Sequence, residues 1–220
     1  MSQRSCKQGM SRTLRATVLG MVAVIVSGCS FDQMLQLPEF AAAEPVGVNA
    51  PAAVQRQYRK AIASMEQGDF EKAEAQLQAF VVEHPSYANA YVNLAIVTEE
   101  RGDLEAAERL LQQAVTVDAE NVYALNRLGL LQRQAGKFAA AEQSWLEATR
   151  VNADYPNAWY NLGVLYELYL RDLQAALDHY QRYQDLTGGT PDAAVARWIT
   201  DLERRIGDAP QTAGVGPEIL

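Results

Sequence analysis

Residues 88–117 read ANAYVNLAIVTEERGDLEAAERLLQQAVTV, two apolar-rich runs hinged at Gly102-Asp103. In the first run Tyr91, Leu94, Ala95 and Thr98 fall on one helical face, and in the second Leu104, Ala107, Leu111 and Ala114 do the same. The break falls at Gly102 because glycine enters the left-handed conformation that ends a helix without a steric cost. The unit recurs along the chain. Gly68-Asp69-Phe70, Gly102-Asp103-Leu104 and Gly136-Lys137-Phe138 are spaced 34 residues apart, and Arg171-Asp172-Leu173 follows 35 further on. Ala73, Ala107, Ala141 and Ala176 keep the same interval. A small residue there lets the two helices of a pair approach closely. Trp159, Leu162, Gly163 and Tyr166 repeat the first stripe, and Phe138, Ala141, Trp145 and Ala148 the second. The pattern predicts an all-α chain of helical hairpins, with one hairpin per repeat.

The 34-residue period with its aromatic, leucine–small and alanine positions resembles the tetratricopeptide repeat family. The resemblance implies a right-handed solenoid of antiparallel helix pairs, with repeats at 54–87, 88–121, 122–155 and 156–190 inside a segment 51–190. The first repeat departs from the pattern, with Gln57 and Lys60 at positions that want apolar residues. Its first helix shows Val54, Tyr58, Ile62 and Met65 instead, as an irregular N-terminal cap would. In the fourth repeat Arg171 stands in for the turn glycine, and the inserted residue is expected to lengthen the first helix. Thr190-Pro191-Asp192 then opens a capping helix over 191–206, with threonine as N-cap, proline in the first turn, and Trp198, Ile199, Leu202 and Ile206 as its apolar side. A solenoid needs such a cap to cover its last repeat. The Gly- and Pro-containing stretch 207–220 is expected to be a disordered tail.

Ahead of the repeats, Arg4, Lys7, Arg12 and Arg15 precede an apolar run from Ala16 to Val26, with no acidic residue before Asp32. A helix of that length reaches only about half the hydrocarbon thickness, which predicts a cleaved signal over 1–28. Val26-Ser27-Gly28-Cys29 resembles the bacterial lipobox, whose cysteine is lipidated and becomes the first mature residue. That resemblance implies a lipid anchor on Cys29, palmitate among its acyl chains. Ser30 after the cysteine implies sorting to the periplasmic face of the outer membrane. Residues 29–50, rich in Ala and Pro, read as a flexible tether averaging roughly 25 Å end to end.

Composition narrows the chemistry. The formal charge is −8, and loss of the four leading basic residues takes it to −12, the wrong sign for a nucleic-acid partner. Two cysteines and two histidines leave no metal-ligand set. His84 and His179 read as lone surface residues, and Glu99-Glu100 as a solvated helix end. No nucleophile elbow or phosphate-binding loop occurs, so neither catalysis, a cofactor nor a small-molecule substrate is expected.

In the family resembled, residues two, five, six, nine and twelve of each repeat face an inner groove that binds peptide or protein segments. Carried onto this chain, the second repeat offers Asn89, Val92, Asn93, Ile96 and Glu99, and the third Tyr123, Asn126, Arg127, Leu130 and Arg133. The fourth offers Asn157, Tyr160, Asn161, Val164 and Glu167. Asn93 and Asn161 are expected to hold a peptide backbone, because a side-chain amide both donates and accepts. Tyr123 and Tyr160 add flat contact, and Arg127 with Arg133 would receive a carboxylate. In layout the chain resembles pilotin-type lipoproteins of type IV pilus assembly. The expected function is a non-catalytic envelope scaffold, with capture of peptidoglycan hydrolases or other cell-wall enzymes as the alternative.

Overall fold

The computed structural model describes residues 50–187 and 193–208, all within the unit that spans Ala42–Leu220. The signal, Cys29, nearly all of the tether, Thr190-Pro191-Asp192 and the tail from residue 209 lie outside the described residues. Among those described, every regular element is helical: α1 Ala52–Glu66, α2 Phe70–Glu83, α3 Ala88–Glu100, α4 Leu104–Val117, α5 Val122–Gln134, α6 Phe138–Val151, α7 Pro156–Leu165, α8 Leu173–Leu186 and α9 Ala193–Gly207. None is long and apolar enough to cross a membrane.

The predicted hairpin breaks are where the chain turns. Gly68, Gly102 and Gly136 sit at φ 73°, 88° and 72°, a conformation that would strain any side chain bearing a Cβ. Each following helix needs a partner for its first free N–H groups. The side chains of Asp69, Asp103 and Asp172 supply it, accepting from Lys72 N at 3.3 Å, Ala106 N at 2.9 Å and Ala175 N at 3.0 Å. Lys137 occupies the same place before α6 and cannot accept, so its ammonium reaches back to Glu108 at 2.7 Å.

Consecutive helices form four hairpins, α1/α2, α3/α4, α5/α6 and α7/α8, and α9 packs on α8. First helices of neighbouring pairs touch one another, α3 with α5 and α5 with α7, while the second helices stand further apart. The stack therefore curves with α3, α5 and α7 inside. The predicted alanines Ala73, Ala107, Ala141 and Ala176 are all fully buried. In the third and fourth hairpins a glycine of the first helix also makes a close approach. A Cβ at Gly129 would lie 2.5 Å from the Trp145 ring, and one at Gly163 2.5 Å from the Tyr180 ring. Each large ring on a second helix thus fills a notch that glycine leaves in the first.

Carboxylates spaced 34 residues apart tie each pair to the next. Glu74 pairs with Arg101, Glu108 with Lys137, and Glu142 accepts from the Tyr166 hydroxyl. Burial, with the neighbouring Glu142 carboxylate adding to it, pushes the Tyr166 hydroxyl up to about 12. The inserted residue of the fourth repeat does lengthen the first helix, but as a π-helical turn over Tyr166–Leu170. Arg171 then takes the left-handed conformation at φ 59°, the one non-glycine residue to do so among those described. The turn geometry survives the loss of glycine at the cost of local strain.

Candidate binding groove

The inner surface is built by α3, α5 and α7, and the reason it holds its shape is polar. Asn93 is 0% exposed and donates from Nδ2 to the Tyr58 hydroxyl at 2.5 Å, which in turn donates to the Asn89 carbonyl at 3.3 Å. Asn121 Nδ2 donates to Asn89 Oδ1 at 2.6 Å. Further along, Asn161, 1% exposed, donates to Asn126 Oδ1 at 2.8 Å, and the Asn126 carbonyl accepts from Trp145 Nε1 at 3.1 Å. A buried amide must be bonded, and these side chains bond one another across successive repeats. Burial drives the Tyr58 hydroxyl well above the ordinary tyrosine range, partly offset by Asn93, so it stays protonated.

This corrects the expectation for Asn93 and Asn161. They lie at the inner helices as predicted, but both are buried, and each Nδ2 donates within the stack, to the Tyr58 hydroxyl and to Asn126 Oδ1. Asn126, Ile96 and Val164 are also buried. Tyr160 is covered by an aromatic cluster of Tyr180, Tyr183 and Trp198, the last from α9. The cap that closes the solenoid thus takes up the face of the fourth repeat on which Tyr160 was to bind.

The charges differ in the same sense. Arg127 meets Glu99 of the preceding repeat at 2.9 Å, their side chains only 12% and 14% exposed. Arg127 is therefore already neutralised, and Glu99 is not a solvated helix end. Glu167 receives Arg205 at 3.0 Å and the Tyr180 hydroxyl at 3.2 Å. Arg133 forms no ion pair among the described residues. It lies close enough to Tyr180 to hold that phenol down somewhat against a burial that raises it strongly.

What remains partly open on the inner face is Asn89, Tyr123, Arg127, Leu130 and Arg133, with Asn157 exposed beyond them. Tyr123 is braced edge-on by Tyr155, with ring centroids 5.8 Å apart. The arrangement offers one flat aromatic, one aliphatic and one uncompensated cation on a rigid wall, a surface fit for an extended protein segment.

The histidines are partly buried against aromatic rings. His84 packs on Phe80 and Tyr87, and His179 lies between Trp159 and Tyr166. Burial lowers the His179 pKa, opposed by Asp178, Glu142 and Asp172. No group of His, Cys, Asp and Glu among the described residues is arranged to hold a metal ion.

Tyr58 and Asn121 are the functional-framework residues that the repeat reading missed. The signal for such bonding was present: α3 is apolar on nearly every side, so an asparagine within it has to find a partner inside the stack.

Comparison with known proteins agrees with this geometry. The tetratricopeptide repeat model matches residues 58–121, 99–149 and 126–194, together more than half of the chain. No curated protein sequence matches it. Among solved structures it is similar to PilF of Pseudomonas aeruginosa, at 23% identity and TM-score 0.62 over 70% of this chain and 69% of that one. It is also similar to MamA of Desulfovibrio magneticus RS-1, at 14% identity and TM-score 0.60 over 72% and 88%. A tetratricopeptide repeat protein from Parabacteroides merdae is 19% identical at TM-score 0.60 over 71% and 61%. At these identities the likeness is one of fold.

Proposed function

Because the chain belongs to the tetratricopeptide repeat family, a fold of protein-interaction scaffolds, we propose that it is a non-catalytic, lipid-anchored scaffold at the periplasmic face of the outer membrane. It binds an envelope protein along its inner face and helps assemble or position a complex there. The observation that carries the binding half is the open set Tyr123, Leu130 and Arg133 on a wall where the Asn93 and Asn161 side chains are buried and donate within the stack. A rigid surface loses little conformational freedom when it binds. The anchoring half rests on Val26-Ser27-Gly28-Cys29 behind a basic, short apolar leader.

Type IV pilus or secretion machinery is the first candidate destination, favoured by the layout of leader, tether and repeats and by the fold shared with PilF. The test has two parts. Cys29→Ala should move the protein out of the membrane fraction while it stays folded. Tyr123→Ala with Arg133→Ala should abolish co-purification of the partner; because Tyr123 packs against the core, Arg133→Ala alone should weaken recovery while the melting temperature holds within about 2 °C. Unchanged membrane attachment, or unchanged partner recovery, would overturn the corresponding half.

A further inference from the structure

On α1, Arg56, Arg59 and Lys60 stand at i, i+3 and i+4, all exposed, on the side away from the buried Tyr58, Ala61 and Ser64. None of the three forms an ion pair among the described residues. The cations of later helices mostly do: Arg101 with Glu74, Arg127 with Glu99, Lys137 with Glu108 and Arg205 with Glu167. The one carboxylate of α1, Glu66, lies in its last turn. Glu83 on the adjacent α2 accepts from Gln57 at 2.9 Å. In a chain of formal charge −8, three uncompensated cations gathered on the first helix of the stack run against the overall balance.

We propose that this face of α1 docks on an anionic phospholipid surface. The inference rests on the anchored reading of Cys29, because the anchor makes a weak patch sufficient. The residues from Ser30 to Ala50 can reach at most about 70–75 Å, so α1, which follows them directly in the chain, is within reach of the bilayer. Tethering raises the local concentration of the patch at that surface to the millimolar range. Each basic residue close to an anionic leaflet strengthens association about fivefold at physiological salt. The interaction acts within a Debye length of about 8 Å and is salt-sensitive. Docking by α1 sets the first repeat against the membrane and points the later repeats away from it, so that Tyr123, Leu130 and Arg133 stand clear for a partner.

The test uses the protein purified from its envelope and added to vesicles of phosphatidylcholine alone or with phosphatidylglycerol. A fluorophore is placed at Ala53→Cys beside the patch or at Glu203→Cys on α9, and a quencher is carried on lipid headgroups. Flotation reads the anchor, and quenching reads the patch. The expected result is flotation with both vesicle types and quenching at the Ala53 site only with phosphatidylglycerol. Arg56→Gln, Arg59→Gln and Lys60→Gln together should weaken that quenching equilibrium about a hundredfold. A control triple, Arg109→Gln, Arg150→Gln and Arg197→Gln, should leave it within about threefold.

Flotation with both vesicle types but quenching independent of lipid charge would overturn the patch and keep the anchor. Flotation only with phosphatidylglycerol, lost in the patch triple, would uphold the patch and overturn the anchor. Flotation with neither would overturn both. Equal losses in the two triples would reduce the effect to net charge and overturn the proposal, as would crosslinking of the α1 face to an acidic protein in place of lipid.

Discussion

The two ends of the stack are finished in opposite ways. At the C-terminal end α9 lays Val195, Ile199 and Leu202 against the last hairpin and adds Trp198 to the tyrosines beneath. Two of its three cations are answered, Arg204 by Asp201 at 2.6 Å and Arg205 by Glu167 at 3.0 Å, while Arg197 is exposed without an ion pair among the described residues. At the N-terminal end α1 buries Tyr58 and Ala61 but leaves Arg56, Arg59 and Lys60 without carboxylate partners among the described residues. One end is closed to further packing, as a solenoid terminus must be to stay soluble. The other presents three exposed cations with no carboxylate partner among the described residues. The difference is in what each end is left to do.

The contrast breaks most easily at the cap. Leu202 is fully buried, so Leu202→Ala is expected to cost about 2–5 kcal/mol in thermal or urea unfolding. Arg56→Gln at the other end should change stability by no more than about 0.5 kcal/mol. A neutral Leu202→Ala would mean that α9 does not cap the stack.

Tyr58→Phe probes the buried side of the N-terminal end. It removes the acceptor for Asn93 and is expected to cost about 1–3 kcal/mol. The loss should largely vanish when Asn93 is replaced by leucine in the same chain, because no buried amide is then left unbonded. A double-mutant cycle showing no coupling would refute the role given to Asn93.

Charge removal sharpens the comparison further. Arg205→Gln leaves Glu167, whose side chain is 10% exposed, with the Tyr180 hydroxyl alone. About 1 kcal/mol is expected to be lost, measured by urea unfolding, whereas Arg59→Gln should show no change. Equal losses would mean that the N-terminal cations are structural.

The smallest effect is a pH dependence. Burial lowers the His179 pKa in the folded state, so the unfolded chain takes up the proton first. The contribution of neutral His179 is complete above about pH 6.5 and declines as pH falls from there toward the folded pKa. His179→Gln should flatten that part of the stability profile. An unchanged slope would assign it to the carboxylates.

The solenoid was legible because its signals are local and repeated. A turn glycine, an N-cap aspartate and a buried alanine at fixed intervals each require only neighbouring residues to be interpreted. The inner face was legible only as an address. Repeat position correctly placed Asn93, Asn126 and Asn161 on the inner helices, but whether an amide there is open depends on what the adjacent repeat supplies at its own position. Tyr58, in the least regular repeat, closes off Asn93, and Asn126 and Asn161 close off each other. Tyr160 is hidden by Trp198 of the cap, a contact that no within-repeat pattern encodes. Arg127 and Glu99 likewise neutralise one another across repeats. Legibility fails where a side chain's partner lies in the next repeat.

The claim that the inner face is the binding surface is tested most directly by a photo-reactive amino acid placed in cells at Leu130, on the inner helix α5, and in parallel at Gln113, on α4. One dominant envelope protein crosslinked from Leu130 and not from Gln113, with the product lost on Tyr123→Ala and Arg133→Ala, is the result this account predicts. The same partner crosslinked from Gln113 and not from Leu130 would contradict it and move the binding surface to the outer helices.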